Sequence, residues 1–388
     1  MSKNTKTIVF TGDYHIYGPY DKFIKMYPDH QVFCDDIKDL VSKSDFNVFN
    51  LEDPITNSND GCIKFGPYGV GSKESLVPVK KVGFGMATFA TNHTYDMKDE
   101  GIKDTFFACK QYGIDVTGAG LTREEAKRVY YKKVGRHNIA ILNFSRSEFN
   151  AVTCDHGGSN PLDVVQNSRD IIAAKKNADF VFVAVHEGVD VFHLPYPRLV
   201  DQMRFYADMG ADAIILHHSR IISGYEIYNK VPIFYGLGNL LHLSKNPAEH
   251  KGLLVKFSIN GKGVLDFEII PIELDPKKVF VSVCNGDKKN KLIQEVERLS
   301  LIIQDQDKLN AEWQKFVLTR KAQYLSIMAG HPRIIPRVTK KIGLNSVYEK
   351  ILLLNKKKYL AKWNIMKCQA HYEAADYILG EIFKESTK

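Results

Sequence analysis

Short apolar runs rich in β-branched and aromatic residues alternate with helix-like stretches through about residue 240. The apolar runs are Thr7–Phe10, Phe46–Leu51, Gly83–Ala90, Ile114–Val116, Ile139–Phe144, Phe180–Val185 and Ala213–Leu216. Apolar residues at helical spacing lie between several of them, in Lys98–Gln111, Val164–Lys176 and Arg198–Met209. Buried strands that alternate with covering helices are typical of an α/β domain. The pattern predicts such a domain, with function at the carboxyl ends of its strands.

The pattern changes after Ile221 to short alternating runs separated by turn residues. Turns are expected at Asn229-Lys230 and at Asn260-Gly261-Lys262-Gly263, so these runs predict antiparallel hairpins that close the domain. Beyond Gly286, apolar residues at helical spacing predict helices. These helices are Leu292–Leu301, Leu309–Ala329, Val347–Leu354 and Lys358–Phe383. We therefore expect one domain over residues 1–285 and a helical region over residues 286–388.

The size and composition fit a two-domain enzyme. The chain has 388 residues, 44% of them hydrophobic, and no apolar run reaches the roughly 20 residues of a membrane helix. Its start, MSKNTKTIVF, lacks the features of a signal peptide, so a cytoplasmic location is expected. The six cysteines are far apart with no C-x-x-C pair, which argues against disulfides and against a thiolate zinc site.

The net charge of +8 is concentrated in the last quarter of the chain. Residues 287–388 hold 20 basic and 11 acidic side chains, a surplus of +9, which leaves residues 1–286 at −1. A nucleic-acid partner is therefore not expected for the domain that carries the candidate site. The basic clusters Lys340–Lys341 and Lys356–Lys358 could face an acidic polymer, nucleotide phosphates or an anionic membrane, making peripheral membrane contact through this region. The alternative is a solvated face of a helical bundle.

The first apolar run ends in TGDYHIYG, which contains Asp13 and His15. Alternate side chains of a strand point to the same side, so a carboxylate and an imidazole could grip one divalent cation. The alternative is a surface turn that closes on Gly12 and Gly18. The choice depends on whether ligand-type residues recur at later strand ends.

Such residues do recur at four further strand ends. They are Glu52, Asn92 with His93 and Asp96, His186 with Asp190, and His217 with His218. Glu52 could bridge two cations, Asn92 offers an amide oxygen, and His93 could donate a proton to a leaving group. The joint pattern predicts one metal centre of oxygen and imidazole ligands, which suits Mn²⁺, Fe or Zn²⁺.

The order of motifs along the chain resembles the CapA family of poly-γ-glutamate capsule biosynthesis, within the calcineurin-like metallophosphatase superfamily. The motifs are GDYH, NLEDPIT, TNHTYD, GAG at Gly118–Gly120, VHEGVD, GADAIILHHSRIISGYE and VPIFYGLGNLL, collinear from about Thr7 to about His242. The resemblance implies a four-layer metallophosphatase-like fold. It does not cover the C-terminal helices.

The resemblance also implies roles for individual residues. The metal ligands would be Asp13, His15, Glu52, Asn92, His186 and His218, holding one or two divalent ions, with Mn²⁺ the preferred ion. The catalytic group would comprise His93 as general acid with Asp96 beside it, and also Arg220, whose role as an anion holder follows from the chemistry of arginine and not from the resemblance. His217, Glu226 and Asp190 would lie on the substrate-binding side.

The chain departs from the family pattern after His218. Arg220 stands where the family has a final histidine, Ser219 replaces a proline, and Asp190 stands for a glutamate. Arginine cannot ligate a metal, but it can hold a phosphate or carboxylate through two parallel hydrogen bonds. We therefore expect one ion to bind tightly and a second to bind weakly or only with substrate.

The resulting expectation is a phosphoesterase-like hydrolase, with metal-activated water as nucleophile, that acts on an anionic small molecule or polymer in capsule or other cell-surface polymer synthesis. Capsule-synthesis proteins are its expected partners. Two alternatives stay open. One is a non-catalytic assembly protein of a capsule machine, and the other is an enzyme that forms or cleaves amide bonds on a polyglutamate-like or sugar-acid substrate.

Overall fold

The structure is a computed structural model that describes residues 5–260, 265–332, 334–368, 370–372, 374–376 and 378–379. The turn predicted at Asn260–Gly263 lies largely outside these residues, as does the end of the helix predicted over Lys358–Phe383. Within them, no helix is both long and apolar enough to cross a membrane.

Sixteen strands are described, and their bounds follow the apolar runs of the sequence. They are β1 Lys6–Tyr14, β2 Phe46–Leu51, β3 Met86–Thr88, β4 Asp115–Thr117, β5 Ala119–Gly120, β6 Tyr130–Val134, β7 His137–Ser145, β8 Gly158–Ser159, β9 Phe180–His186, β10 Ala213–His217, β11 Tyr225–Tyr228, β12 Val231–Phe234, β13 Asn239–Leu241, β14 Lys251–Ile259, β15 Leu265–Asp275 and β16 Phe280–Val283.

The helices of the described residues fall between the strands and, after β16, follow one another. They are α1 Pro19–Met26, α2 Asp35–Ser42, α3 Val77–Val82, α4 Lys98–Gln111, α5 Arg123–Ala126, α6 Val164–Asn177, α7 Pro197–Asp208, α8 Gly286–Ile303, α9 Gln306–Thr319, α10 Lys321–Met328, α11 Ile334–Lys341, α12 Asn345–Leu352 and α13 Lys356–Lys367. Short 3-10 helices cover Lys73–Leu76, Pro247–His250 and Leu353–Asn355.

Two sheets form the centre of the fold. The larger has the order β16-β15-β14-β1-β2-β3-β4, with β13 also paired to β1, and the smaller has the order β11-β12-β10-β9-β7-β6. Strands β1 to β4 are parallel, as are β7, β9, β10 and β12. Both sheets therefore contain the parallel strands that the alternating pattern predicts.

Three apolar clusters show that the layers stack as helix, sheet, sheet and helix. Phe10 and Val48 of the large sheet pack with Ile141 and Phe182 of the small sheet. The opposite face of the large sheet is covered by α1 to α4, and that of the small sheet by α6 and α7. This is the four-layer α/β sandwich expected from the sequence.

The predicted hairpins are present, since β11 pairs antiparallel with β12 and β14 with β15. Two predicted elements differ in extent. The strand expected over Gly83–Ala90 shortens to β3 because Gly83 ends α3 in a left-handed conformation, with φ of 112°. The helix expected over Leu309–Ala329 divides into α9 and α10, where the Thr319 hydroxyl donates to the Phe316 carbonyl at 2.6 Å.

The chain forms two compact units, Met1–Leu309 and a second unit that starts at Asn310. The expected boundary at residue 285 is therefore one helix too early. Helix α8 belongs to the first unit because its apolar face, Leu292, Val296, Leu299 and Ile303, is buried in the clusters of that unit. The Ser300 hydroxyl also accepts a hydrogen bond from the Tyr225 amide at 2.9 Å.

Candidate metal centre

The candidate site lies where the parallel strands of both sheets end. In the large sheet, Asp13 of β1 is in register with Asn50 of β2. In the small sheet, His186 of β9 is in register with His217 of β10. Because the two sheets face each other, these carboxyl ends meet along one edge of the sandwich. The strand-end residues of the sequence are brought together there.

His15, Glu52 and His93 form the first group of ligand-type side chains. Their ligand atoms all lie within 4.8 Å of one another, and all three residues are buried. The Nδ1 of His15 is 3.7 Å from Glu52 Oε2, and the Nε2 of His93 is 4.0 Å from Glu52 Oε1. Glu52 is therefore central to this group.

A second group contains Asp13, Asn92, His186 and His218. His186 Nε2 is 2.9 Å from Asn92 Oδ1 and 3.2 Å from His218 Nδ1, and His186 Nδ1 is 4.0 Å from Asp13 Oδ1. Asp13 also accepts hydrogen bonds from the His218 amide at 3.0 Å and from Asn50 Nδ2 at 2.9 Å. All six residues expected as metal ligands thus lie in these two groups.

Burial sets the protonation of both groups. It raises the pKa of Asp13 to about 7, and it raises the pKa of Glu52 well above its usual range, where the charge of Asp13 adds to the effect. It lowers the pKa of His15 to about 4 and the pKa values of His186 and His218 well below the usual range. The three imidazoles are therefore neutral and keep a lone pair for a cation.

These residues fit a divalent cation. Glu52 Oε2 is buried without a hydrogen-bond partner among the described residues, so an acceptor points into the site with nothing to satisfy it. The two buried acids, Asp13 and Glu52, lie beside neutral imidazoles in these groups. A bound cation would supply the positive charge that their ionised forms need. Carboxylate, amide and imidazole ligands without thiolate suit Mn²⁺, Fe or Zn²⁺.

Two aspartates orient the histidines of the first group. Asp53 Oδ2 is 2.8 Å from His15 Nδ1 and accepts from the Ile16 amide at 2.7 Å. Burial alone would raise the pKa of Asp53, but His15, His93 and the hydrogen bond from the Ile16 amide together lower it. Asp96 Oδ2 lies 2.6 Å from His93 Nδ1 and also accepts from the Gly69 amide. Asp96, which the sequence places in the catalytic group, therefore positions His93.

Two arginines line the rim beside His218. Arg220 Nη2 is 2.9 Å from Asp190 Oδ1, which is itself 3.4 Å from His218 Nε2. Arg146 Nη1 lies 2.8 Å from His218 Nε2 and donates to the Gly188 carbonyl at 3.1 Å. Although burial opposes the charged form of Arg220, Asp190 and Glu52 raise its pKa. Each guanidinium already has an acidic partner at the rim, since Arg146 pairs with Glu148 and Arg220 with Asp190.

The structure does not support the substrate-binding role expected for His217 and Glu226. His217 is buried and its Nε2 is 2.9 Å from the Thr11 carbonyl, so it contacts the neighbouring sheet. Glu226 accepts two hydrogen bonds from Arg204 and one from Tyr235 at 2.7 Å. These contacts stabilise β11 against α7. Asp190, by contrast, lies at the rim beside His218 and Arg220.

Sequence reasoning missed several residues of the site. Asn50 bridges the two sheets, since its Nδ2 donates to Asp13 and lies 3.3 Å from His186 Nδ1. The sequence did offer a cue for Asn50, because it is a polar residue on the same face of β2 as the apolar residues Phe46 and Val48. No sequence motif marks Arg146 as a residue of the site. His242 follows β13, and its ring centroid lies 4.4 Å from that of His15.

Comparison with known proteins supports the interpretation of these motifs. A family model described as bacterial capsule synthesis protein PGA_cap matches residues 7–243. The PGA biosynthesis protein CapA of Bacillus subtilis (strain 168) is 30% identical over 242 residues, which cover 61% of this chain and 64% of that protein. This chain thus matches less than two thirds of that relative.

A second relative aligns over a longer stretch. The capsule biosynthesis protein CapA of Bacillus anthracis is 25% identical over 317 residues, which cover 78% of this chain and 76% of that protein. Among solved structures, a 5′-nucleotidase from Candida albicans SC5314 is 12% identical with a TM-score of 0.41, covering 77% of this chain and 58% of that one. The match over residues 7–243 spans the strands that build the site, and the chain belongs to the CapA family of bacterial capsule synthesis proteins, within the metallophosphatase-like superfamily.

Proposed function

We propose that this chain is a metal-dependent, phosphoesterase-like hydrolase that acts on an anionic substrate in capsule or other cell-surface polymer synthesis. The observation that carries the proposal is the convergence of His15, Glu52 and His93 within 4.8 Å, next to the second group around His186. Membership of the CapA family supplies the biological setting. We propose Mn²⁺ as the ion, with Fe or Zn²⁺ as alternatives.

The ligands would divide between two positions that share Glu52. Asp13, His15 and Glu52 would hold one ion, and Glu52, Asn92, His186 and His218 the other. A bound divalent cation would act as a Lewis acid that lowers the pKa of water and polarises a phosphoester. The first position is one ligand short because Arg220 replaces a histidine, so we propose that its ion binds more weakly.

The protein's own side chains would complete the reaction. His93 Nδ1 lies 2.6 Å from Asp96 Oδ2, so the other ring nitrogen, Nε2, faces Glu52. This nitrogen would pass a proton to a leaving group. Arg146 and Arg220 would hold the anionic oxygens of the substrate. The low exposure of the ligands keeps the local dielectric low, which strengthens these interactions.

The test is a hydrolysis assay on the full chain, first stripped of metal and then supplied with Mn²⁺, Fe²⁺ or Zn²⁺ separately. We expect metal-dependent cleavage of phosphomonoesters or phosphodiesters, and little cleavage of γ-glutamyl amides. Asn92→Ala should weaken metal binding and activity about 10- to 100-fold. Asn138→Ala, an exposed asparagine on β7, is the matched control. Absence of divalent-ion binding together with absence of hydrolysis would overturn the proposal.

A second candidate function is that of a non-catalytic assembly protein of a capsule machine. The ion pair between Arg220 and Asp190 favours it, because a cation-binding position is replaced there by a fixed positive charge. This candidate predicts that metal binds without any turnover, and that Asn92→Ala leaves association with capsule-synthesis proteins unchanged. Cleavage of amides in preference to phosphoesters would instead favour the amide chemistry, with Arg220 holding a substrate carboxylate.

A further inference from the structure

The second unit has a charge that is unusual for a small helical bundle. From Asn310 to Lys388 the chain carries 15 Lys or Arg side chains and six acidic ones, and up to Tyr372 the acidic ones are Glu312 and Glu349. Glu349 is itself paired with Lys321 at 3.3 Å. Most of this positive charge therefore has no acidic side chain of the same stretch to neutralise it, and an anionic partner would be attracted.

Contacts between α10, α11 and α12 form the interior of this unit. Pro336, Leu352, Ala322 and Ser326 are buried, and the Tyr348 hydroxyl lies 3.0 Å from Ser326 Oγ. These residues define the inner side of α11 and α12. Apolar residues found on the opposite side are therefore not needed for packing the bundle.

Two apolar rows occupy that outer side. Ile334 and Val338 lie four residues apart on α11, and Ile342 follows directly after its end. Val347 and Ile351 lie four residues apart on α12, and Leu354 lies in the 3-10 helix that follows. All six are exposed, Leu354 by 83%. On the helical wheel, Arg337 and Lys341 flank the first row and Lys350 flanks the second. We call these six apolar residues the outer rows.

A basic pocket opens in the same unit. It has a volume of about 380 Å³ and is lined by α9, α10, α11 and the start of α12, including Arg320, Arg337 and Lys340. Among the described residues, no Asp or Glu contributes to its lining. The Arg320 guanidinium lies 5.2 Å from the centroid of the Phe316 ring. Three cations around a polar pocket match the charge of a phosphate group.

The two features together decide between anionic partners. An acidic polymer would neutralise the cations but would leave the outer rows in water. A bilayer with anionic lipids satisfies both, since apolar side chains enter the acyl boundary while flanking Lys and Arg reach the phosphates. The exposed Trp363 of α13 is the kind of residue found at such an interface. We propose that the second unit docks on an anionic phospholipid surface, with the outer rows inserted and the basic pocket holding a lipid phosphate.

The test is flotation of the full chain with vesicles of phosphatidylcholine alone or mixed in equal parts with phosphatidylglycerol. We expect binding to the mixed vesicles and a loss of at least about tenfold with phosphatidylcholine alone or at high salt. In a Trp313→Phe background, the emission of Trp363 should shift to the blue on binding. Arg337→Glu with Lys340→Glu, and separately Val338→Ser with Ile351→Ser, should each reduce binding by a similar factor.

The control is Lys103→Glu with Lys176→Glu, which makes the same charge change at exposed sites of the first unit and should bind like the parent chain. The substituted side chains of the second unit are exposed, and circular dichroism will verify that each variant keeps its helices. The proposal is overturned if the chain does not bind mixed vesicles, or if either pair of second-unit variants binds them like the control. It is also overturned if the chain binds polyglutamate or inorganic phosphate but does not bind vesicles.

Discussion

At the scale of single residues, the main feature of the site is two buried carboxyl groups set among neutral imidazoles. Burial raises the pKa of Asp13 from 3.8 to about 7, so in the metal-free fold its ionised form is disfavoured. The metal-free fold therefore loses stability as the pH rises from 3.8 through about 7, because the unfolded chain ionises more readily. A bound cation reverses this preference, since it requires the ionised carboxylate.

We therefore predict that the stabilisation given by added Mn²⁺ grows with pH across the titration of Asp13. The rise in Tm on adding Mn²⁺ should be small below pH 6 and should grow as the pH passes through about 7, where Asp13 loses its proton. Differential scanning calorimetry at several pH values checks this. A rise in Tm that is equal at all these pH values would contradict the assignment of Asp13 as a ligand.

Asp96 gives a second prediction, because its contact with His93 fixes the ring. Asp96→Asn should lower the hydrolysis rate about 10- to 100-fold while leaving metal content unchanged, since the carboxylate orients His93 without belonging to either group of expected metal ligands. Rate and metal content are measured on the same sample. Because Asp96 also pairs with Lys64, unfolding curves must show that the variant is folded. An equal loss of metal and rate would contradict the positioning role.

Arg220 gives a third prediction. Arg220→His should restore the missing ligand and tighten the weaker ion by about tenfold. The backbone allows the change, because Arg220 has φ of 60°, a conformation that histidine adopts more readily than most residues. Titration calorimetry with Mn²⁺ measures the two affinities. Arg220→Leu removes the same charge without adding a ligand, and identical metal binding by the two variants would refute the prediction.

The site residues that sequence reasoning found share one physical property. Asp13, Glu52 and His186 follow buried apolar runs, and the carboxyl ends of parallel strands necessarily meet. His217 and Glu226 were misassigned because position near a strand end does not fix which way a side chain points. His217 turns toward the Thr11 carbonyl of the other sheet. Arg146 was missed because a lone arginine carries no spacing signal.

At the scale of elements, the apolar pattern defined the central strands well and the domain boundary poorly. Strand β2 begins and ends where its apolar run does because it is buried along its whole length. Helix α8 has a clear apolar face, but an amphipathic pattern does not say which surface covers that face. The expected boundary at residue 285 separated α8 from the sheet on which it packs.

The packing of α8 gives a fourth prediction. Leu299→Ala should lower the free energy of unfolding of the first unit by about 2–5 kcal/mol, because Leu299 is buried in the cluster under the small sheet. Urea unfolding followed by circular dichroism measures the change. Leu301→Ala is the matched control, since Leu301 is 68% exposed two residues further on. Similar stabilities of the two variants would place α8 outside the first unit.

At the scale of the whole molecule, the candidate centre takes its ligands from both sheets. Asp13 and Glu52 come from the large sheet, whereas His186 and His218 come from the small one. An ion held by both sets would join the two halves of the sandwich. Within the first unit, a bound ion would therefore help to hold the two sheets together.

This arrangement gives a fifth prediction. Removal of metal with a chelator should lower the Tm of the full chain and return it on adding Mn²⁺, because an ion that binds only the folded state stabilises it by mass action. After chelation, the Asn92→Ala variant and the parent chain should have the same Tm. With metal added, the Tm of the variant should be lower than that of the parent. If the chelator does not change the Tm of the parent chain, the two sheets need no ion to stay together.

The position of these ligands across the two sheets has a consequence for the living cell. If the sandwich is joined by a cation, newly made chains that meet too little metal will open more often and be degraded sooner. The amount of this protein would then follow the cell's supply of metal even at constant synthesis. Scarcity of a single nutrient would in this way lower the amount of folded protein.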